Sequence, residues 1–517
     1  MGQWGVYMEK QIVCAPQDST SRLHPPQSRC LAGVARGDVT PPAGIYHRMW
    51  GAAAHDRSTG VHRALTASIL YLENVAAADV FQVVIALDHC LLRPQEFHDL
   101  RNRVAAAAEL PHERFVFFFS HTHAAGLMGY ERRDLPGGDL ISPYLEHLGA
   151  ELAALTRKTR ESKQPATIAY GLGRCSLAAN RDYYDEARQC YVCGFNPAGV
   201  ADDTVLVARV TGQDSQALAT IVNYACHPTT LAWENTVISP DYVGAMREVV
   251  EDATGVPCIF IQGASGDVGP REGFVGDVAV ADRNGRQLGY AALEALLTVP
   301  APGTSYEYAG PVISGATLGI WKYVPEGESR GRESAAWLAS EFVVPLPYRQ
   351  DLPTAEHLTR ERARWEADEI AAQTAGDMIR ARDARAMAER MTRGLMRIGH
   401  LPPGDWYPYP VRIWRLGDAV WLALSGEHYN LLQRELRTRF ASVPLVIGTI
   451  ADAYDVSYLL DRDSFGKKLY QEEVSILAQG ALETLIEAIA DKIGFLTGEA
   501  EKQQELGPPP TALTNDQ

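Results

Sequence analysis

A layered α/β fold is what this sequence predicts, and three observations predict it. Short runs rich in β-branched and aromatic residues recur along the chain: ASILYLE (67–73), VFQVVIALD (80–88), RFVFFFS (114–120), TVLVARV (204–210), LATIVNYAC (218–226) and CIFIQGASGD (258–267). Helical patterns lie between them, at 95–108, 142–160, 241–253 and 281–297. Alternation of this kind indicates sheets and helices stacked in layers. Several of the apolar runs also end in polar loops punctuated by Gly or Pro, where α/β proteins keep their chemistry.

Taken in order, residues 1–30 read as a polar arm, and the folded body opens at GVARGDVTPPAG (33–44). Residues 354–398, rich in Ala, Glu and Arg, read as a long charged helix or helical pair at the periphery, its arginines on a solvated face. Two further strand-to-loop units follow, PYPVRIWRLGDAVWLALSGEHY (408–429) and PLVIGTIADAYDVSYL (444–459). The last helix is expected over 471–491. One domain is expected over 31–492, with 493–517 a disordered tail.

Bulk properties exclude some function classes. Hydrophobic residues make up 46% and charged residues 22% of the 517, ordinary for a globular protein. A formal net charge of −16 argues against charge-driven binding to nucleic acid or anionic membranes. No apolar run is long enough for a transmembrane helix. The opening MGQWGVYMEKQIVCAPQDSTSR shows no basic-then-apolar export pattern, so a cytoplasmic location is expected. The eight cysteines are scattered rather than arranged as a disulfide framework. Cys190 and Cys193 form a lone CxxC, read as reduced thiols rather than a structural zinc site.

Four strand-to-loop junctions carry chemistry: FFFSHTHAAG, IVNYACHPTT, CIFIQGASGDVGPRE and VWLALSGEHYN. In extended backbone, residues i and i+2 face the same side, so His121 and His123 are expected to share a cleft. Imidazole is the commonest metal ligand and the usual acid/base near neutral pH. The candidate ligands are His121, His123, His227 and Glu427. Read singly, His227 is an ordinary loop residue, and Glu427 suits the start of a helix at HYNLLQRELRTRF (428–440). Gly263, Gly266 and Gly269 do not make a phosphate loop, because no Lys-Ser/Thr follows.

In chain order, these segments resemble the neutral/alkaline non-lysosomal ceramidase superfamily, a group of zinc-dependent amidases. GVARGDVTPP matches the family's opening segment, and Ser120-His121-Thr122-His123-Ala124-Ala125-Gly126 its His-x-His segment. Asn180-Arg181-Asp182, Ala225-Cys226-His227-Pro228 and Ala264 through Pro270 follow, then Ser425-Gly426-Glu427 and the Tyr-rich stretch Tyr454 to Tyr470. The likeness runs over residues 30–490.

The resemblance implies a layered mixed β-sheet body flanked by helices, and Zn2+ held by His121, His227, Glu427 and a tyrosine. Tyr458 is the best match for that tyrosine. Tyr454 is the rival, because this chain has one extra residue between the pair. The resemblance also implies that zinc-activated water attacks an amide, with His123, Arg181 and Tyr470 catalytic, Arg181 and Tyr470 holding the substrate carbonyl, and Asp267 and Gly269 at the substrate. Gly269 stands where the family has a serine. The expected substrate is a soluble small-molecule amide or N-acyl compound rather than bilayer ceramide, with homo-oligomerisation left open. An esterase or lactonase, or a non-catalytic binding protein, are the alternatives.

Overall fold

In the computed structural model, which describes residues 21–498, the predicted strand runs join into one eight-stranded sheet. Its strands are β1 (Gln27–Asp38), β2 (Thr66–Asn74), β3 (Ala77–Leu87), β4 (Phe115–Phe119), β5 (Gln164–Arg174), β6 (Thr204–Gly212), β7 (Ala217–Tyr224) and β8 (Cys258–Gln262). Their spatial order is β8-β7-β6-β5-β1-β2-β3-β4. The interior pairs are antiparallel, and the two outermost pairs, β7–β8 and β3–β4, are parallel. A parallel pair needs a crossover. Helices α1 (Pro94–Ala108) and α3 (Tyr242–Thr254) supply the two, while α2 (Ile141–Glu161) and α4 (Val278–Leu297) complete the helical layer.

The period of two along each strand sorts the side chains to two faces. Ile69, Tyr71, Val83, Ile85, Phe115 and Phe117 pack outward against Phe97 and Leu100 of α1 and Leu145 and Leu148 of α2. Leu70, Leu72, Val84, Val116 and Phe118 point the other way, onto Trp414, Trp421 and Val446 of a second sheet. That sheet has four strands in the order β9 (Trp337–Pro347), β10 (Trp406–Leu416), β11 (Ala419–Leu424) and β12 (Leu445–Gly448). A helical hairpin, α5 (Ala355–Ala375) and α6 (Met378–Ile398), is inserted between β9 and β10, and α7 (Leu431–Arg439) and α8 (Ala481–Thr497) cover the far face. The body is thus four layers: helices, sheet, sheet, helices.

One backbone segment ties the edge strands of the large sheet together. Thr449 N–H donates to Gln262 O at the end of β8 (2.9 Å), and Phe119 N–H at the end of β4 donates to Ile450 O (3.3 Å). Open edges are thereby closed off. The loops that leave β4, β8 and β12 become neighbours.

Three expectations need correction. Residues 27–30 are not part of an arm: Gln27, Ser28 and Cys30 are buried in β1, and residues 1–20 lie outside the described region. The last helix is two, Tyr470–Val474 and α8, separated by a turn that ends on Gly480 at φ 88°. Because Ile489, Ile493 and Leu496 anchor α8 to the second sheet, it runs to Thr497, past the expected boundary; the rest of the predicted tail lies outside the described residues. The charged segment 354–398 is a hairpin, but its second helix forms part of a cavity wall. No described helix is long and apolar enough to cross a membrane.

Candidate metal centre

His121 leaves the end of β4 and His227 follows β7, while Glu427 begins a two-residue strand, Glu427–His428, paired in parallel with Tyr458–Leu459. Glu427 therefore sits in a strand rather than at a helix start. Gly426 permits this at φ 94°, since a Cβ there would meet Ser457 O at 2.8 Å. His121 and His123 do share a cleft, their ring centroids 4.9 Å apart, but not by strand alternation. The strand ends at Phe119, and His121 adopts φ 66°, a left-handed conformation rare outside glycine. That local strain costs on the order of 1 kcal/mol and marks a position held by its surroundings.

One atom each from His121, His227 and Glu427 lies within 4.8 Å of the others. Nε2 of His121 is 3.5 Å and Nε2 of His227 3.7 Å from Glu427 Oε2. Tetrahedral zinc with bonds of about 2.0–2.1 Å sets neighbouring ligand atoms about 3.4 Å apart. The opposite ring edges are already committed: His121 Nδ1 donates to Cys90 O (2.8 Å) and His227 Nδ1 to Ser265 O (3.2 Å). Such outer hydrogen bonds fix the tautomer that leaves Nε2 with its lone pair. Glu427 Oε2, aimed at the same point, is buried with no hydrogen-bond partner. Two imidazole nitrogens and a carboxylate oxygen converging on one point fit a cation.

Charge states agree with that fit. Burial alone would raise the Glu427 carboxyl, but His121 and the hydroxyls of Tyr454 and Tyr458 hold it down at about 2. Burial pushes His227 well below the usual imidazole value, with Arg181 and the other histidines adding to the effect. His121 goes the opposite way against its burial, because Cys90 and Glu427 draw positive charge onto it. A carboxylate that draws a proton onto His121 also draws a metal ion.

His123 stands beside this trio. Its Nε2 is 3.1 Å from His227 Nε2 and 3.4 Å from His121 Nε2, and its Nδ1 is buried without a partner. Burial and the neighbouring His121 push it well below the usual value, which keeps the ring neutral. Cys90 was missed in the sequence. Its Sγ lies 3.6 Å from Nδ1 of His121, on the far edge of the ring from Glu427, so the two cannot serve one ion through His121.

Both tyrosines are present, with different attachments. Tyr454 donates to Glu427 Oε1 at 2.6 Å and steadies the carboxylate. Tyr458 accepts from Arg181 Nη2 at 3.1 Å. Arg181 is buried, also donates to Gly266 O from Nη2 (2.6 Å), and lies over the Tyr458 ring. Tyr470 opens the short helix Tyr470–Val474, 6.0 Å from the Tyr458 ring centroid and 44% exposed.

Asp267 and Gly269 are placed behind the site rather than in the cavity lining. The Asp267 carboxylate accepts from Asn430 N–H and Asn180 Nδ2, and burial pushes it up to about 7. Its backbone carbonyl accepts from Arg181 N–H (2.9 Å), so it seats the arginine. Cys190 and Cys193 are free thiols on an exposed hairpin and join no three-ligand group among the described residues.

The cavity over the histidines has a volume of about 500 Å³, a usual size for a small-molecule site. Trp50 forms its roof beside His123, ring centroids 5.1 Å apart, and meets Phe274 edge-on at 5.7 Å. No sequence signal marked Trp50, whose role comes from a loop folding back over the site.

No family model matches the chain. Among solved structures it is similar to a ceramidase complexed with C2, at TM-score 0.61 and 14% identity, over 93% of this chain and 76% of that one. It is also similar to the neutral ceramidase of Pseudomonas aeruginosa, at TM-score 0.60 and 14% identity, over 95% of this chain and 77% of that one. Similarity at this level speaks to architecture: the chain has the mixed α/β fold of neutral ceramidase.

Proposed function

We propose that this chain is a zinc-dependent amidohydrolase acting on a small N-acyl substrate. The observation that carries the reading is the convergence of His121 Nε2, His227 Nε2 and the orphaned Glu427 Oε2, with both histidine Nδ1 atoms held by carbonyls. The fold shared with ceramidases supports an amide as the bond cleaved.

His121, His227 and Glu427 would hold the ion, with Tyr458 as fourth ligand. Burial and Glu427 push both phenols up, but Arg181 beside the Tyr458 hydroxyl works against that rise, whereas the Tyr454 hydroxyl is already committed to Glu427 Oε1. A zinc ion there supplies Lewis acidity towards a bound carbonyl. The protein's own groups do the rest. Arg181, already aligned by Gly266 O, points a fixed guanidinium at the place where carbonyl oxygen gains charge. Tyr470 closes the same side. His123, neutral and unpartnered at Nδ1, can take up a proton and hand it to the departing amine. Trp50 and Phe274 keep bulk water off.

Gly269 is compatible with this reading, because no serine hydroxyl is needed. A Cβ there would rest 3.5 Å from Thr229 Oγ1, an ordinary contact, so Gly269→Ser should fold and change turnover only modestly.

The test is metal content by mass spectrometry together with hydrolysis of an N-acyl panel that includes short-chain ceramide. The reading expects one zinc per chain, loss of zinc and turnover in His227→Ala, and better turnover of water-soluble amides than of ceramide. A metal-free protein that hydrolyses amides unaffected by chelator would overturn it.

A further inference from the structure

The chain carries a net charge of −16, yet its cavity is lined by five arginines and only two glutamates. Three of the arginines, Arg390, Arg393 and Arg397, come from α6 at spacings of three and four, so they share one face of that helix. Arg93, at the start of α1, and Arg181, after the strand Ala178–Asn180, supply the other two.

Most of this charge is spoken for. Arg390 pairs with Glu473, Arg393 with Glu389 at 2.7 Å, and Arg181 donates to Gly266 O and Tyr458. Glu427 belongs to the metal centre. Arg93 and Arg397 remain. Among the described residues neither has an ion pair within 4.0 Å or a hydrogen-bonded acceptor. The acid nearest in effect to Arg93, Glu131, is engaged by Arg132 at 3.3 Å. Burial, with Arg397 and Arg132 nearby, lowers Arg93 to about 10 against the pull of Glu131. Arg93 is also the N-cap of α1, whose first-turn N–H groups favour negative charge nearby.

The pair lies one side chain from the metal centre. Tyr454 N–H donates to Leu92 O (2.8 Å), next to Arg93, while the Tyr454 hydroxyl reaches Glu427 at 2.6 Å. The wall by His123 is different in kind: Trp50 stands edge-on to Trp233 at 6.4 Å and to Phe274 at 5.7 Å, with no charged group among them. An occupant of this cavity needs one apolar arm and one anionic end.

We propose that the substrate is an acyl amide bearing a free carboxylate, bound by Arg93 and Arg397, with its apolar arm against Trp50, Trp233 and Phe274. The inference rests on the amidohydrolase reading and names the substrate class for that site. The shared chemistry admits two sources, a carboxylate on the amine half, as in an N-acyl amino acid, or on the acyl half.

The experiment uses the full chain loaded with zinc and four probes. These are N-dodecanoylglycine, N-dodecanoylglycinamide, N-dodecylsuccinamic acid and the methyl ester of that acid. Hydrolysis of the amide bond and binding by calorimetry are both measured. A charge-assisted, two-arginine grip is worth roughly tenfold or more, so one acid should exceed its neutral analogue by at least about tenfold in kcat/KM and in affinity. Which acid does so assigns the half that carries the charge. In Arg397→Gln and in Arg93→Gln the ratio of acid to neutral analogue should fall towards one through KM, with unfolding transitions recorded for both variants. Equal handling of acids and neutral analogues, with amides turned over, overturns this inference and leaves the amidohydrolase reading standing. No turnover of any probe counts against that reading instead. Calorimetry then still decides the inference, by whether the acid binds more tightly and the preference is lost in Arg397→Gln.

Discussion

Helices α5 and α6 follow one another in the hairpin, each 21 residues long, and both are rich in Ala and Arg, yet they use their charge differently. On α5 three ion pairs are internal and exposed, Arg360 with Glu356, Arg362 with Glu366 and Arg364 with Glu361, and a fourth joins Asp368 to Arg380 of α6. On α6 two pairs also stay inside the helix, Arg393 with Glu389 and Arg382 with Asp383, but others leave it. Arg385 reaches Asp56, Arg390 reaches Glu473, and Glu389 accepts from Arg132 at 2.8 Å and from Arg393. The loop that carries Trp50 seats against α6 so closely that a Cβ at Gly51 would come 2.8 Å from Ala386 Cβ. Ala381, Ala384 and Ala388 bury the opposite stripe of α6. Composition sets how soluble such a helix is. The partner of each charge, which can lie hundreds of residues away, sets what the helix does.

Breaking the Glu389 clamp should have the largest effect. Arg132 is 3% exposed at its side chain and donates to Tyr46 as well as to Glu389. Glu389→Ala leaves that guanidinium short of its closest carboxylate, and removing one partner of a buried pair costs about 3 kcal/mol. Urea denaturation should show this loss, with weaker substrate binding as α6 loosens over the cavity. A change under about 0.5 kcal/mol, typical of surface substitutions, would show that α6 is no better anchored than α5.

Acid sharpens the same contrast. Despite burial, Arg393 and Arg132 hold the Glu389 carboxyl down at about 2, against an ordinary value of 4.5. A depressed carboxylate contributes stability that is present above its unfolded value and lost as pH falls through its folded value. The gap in Tm between the natural protein and Glu389→Gln should therefore be full above pH 4.5 and shrink towards pH 2. A gap that stays constant over that window would assign the loss to packing instead of charge.

How much of this could be read from the sequence follows from the distance between partners. His121, His227 and Glu427 each sit in a local strand-to-loop pattern a few residues long, and their residue types carry the chemistry, so they were legible. The reason given for His121 and His123 meeting was not right. A strand end shows in the pattern, but the left-handed turn at His121 is imposed by contacts with Cys90 and His89. The arginines of α6 were misread as solvated because the partner of Glu389 lies 257 residues earlier. Arg93 and Trp50 left no signal, since each acquires its neighbours only when the loops around β4 and α6 close. Asp267 was assigned to the substrate only through the family resemblance of its Gly-rich loop, and its place behind Arg181 comes from pairing of Val268–Pro270 with Ala178–Asn180.

The smallest effect belongs to α5, and it is the control that gives the others meaning. Arg362 and Glu366 are one turn apart, 3.5 Å between Nε and Oε1, with side chains 37% and 55% exposed. An exposed pair of this kind spends side-chain entropy to hold two long arms together and is screened by salt, so its net worth is about 0.3–0.5 kcal/mol. Arg362→Ala also gains helix propensity, since Ala is the best helix former, and that offsets part of the loss. The expected change in stability is therefore within about 0.5 kcal/mol of zero, with kinetics on any substrate unaltered, because no residue of α5 lines the cavity. Added salt at about 1 M should weaken the α5 pair and leave the Glu389 clamp nearly intact, as screening acts on exposed charges far more than on buried ones. If Arg362→Ala destabilised the chain as much as Glu389→Ala, the two helices would be equally embedded, and the division between a solvated face and a cavity wall would be wrong.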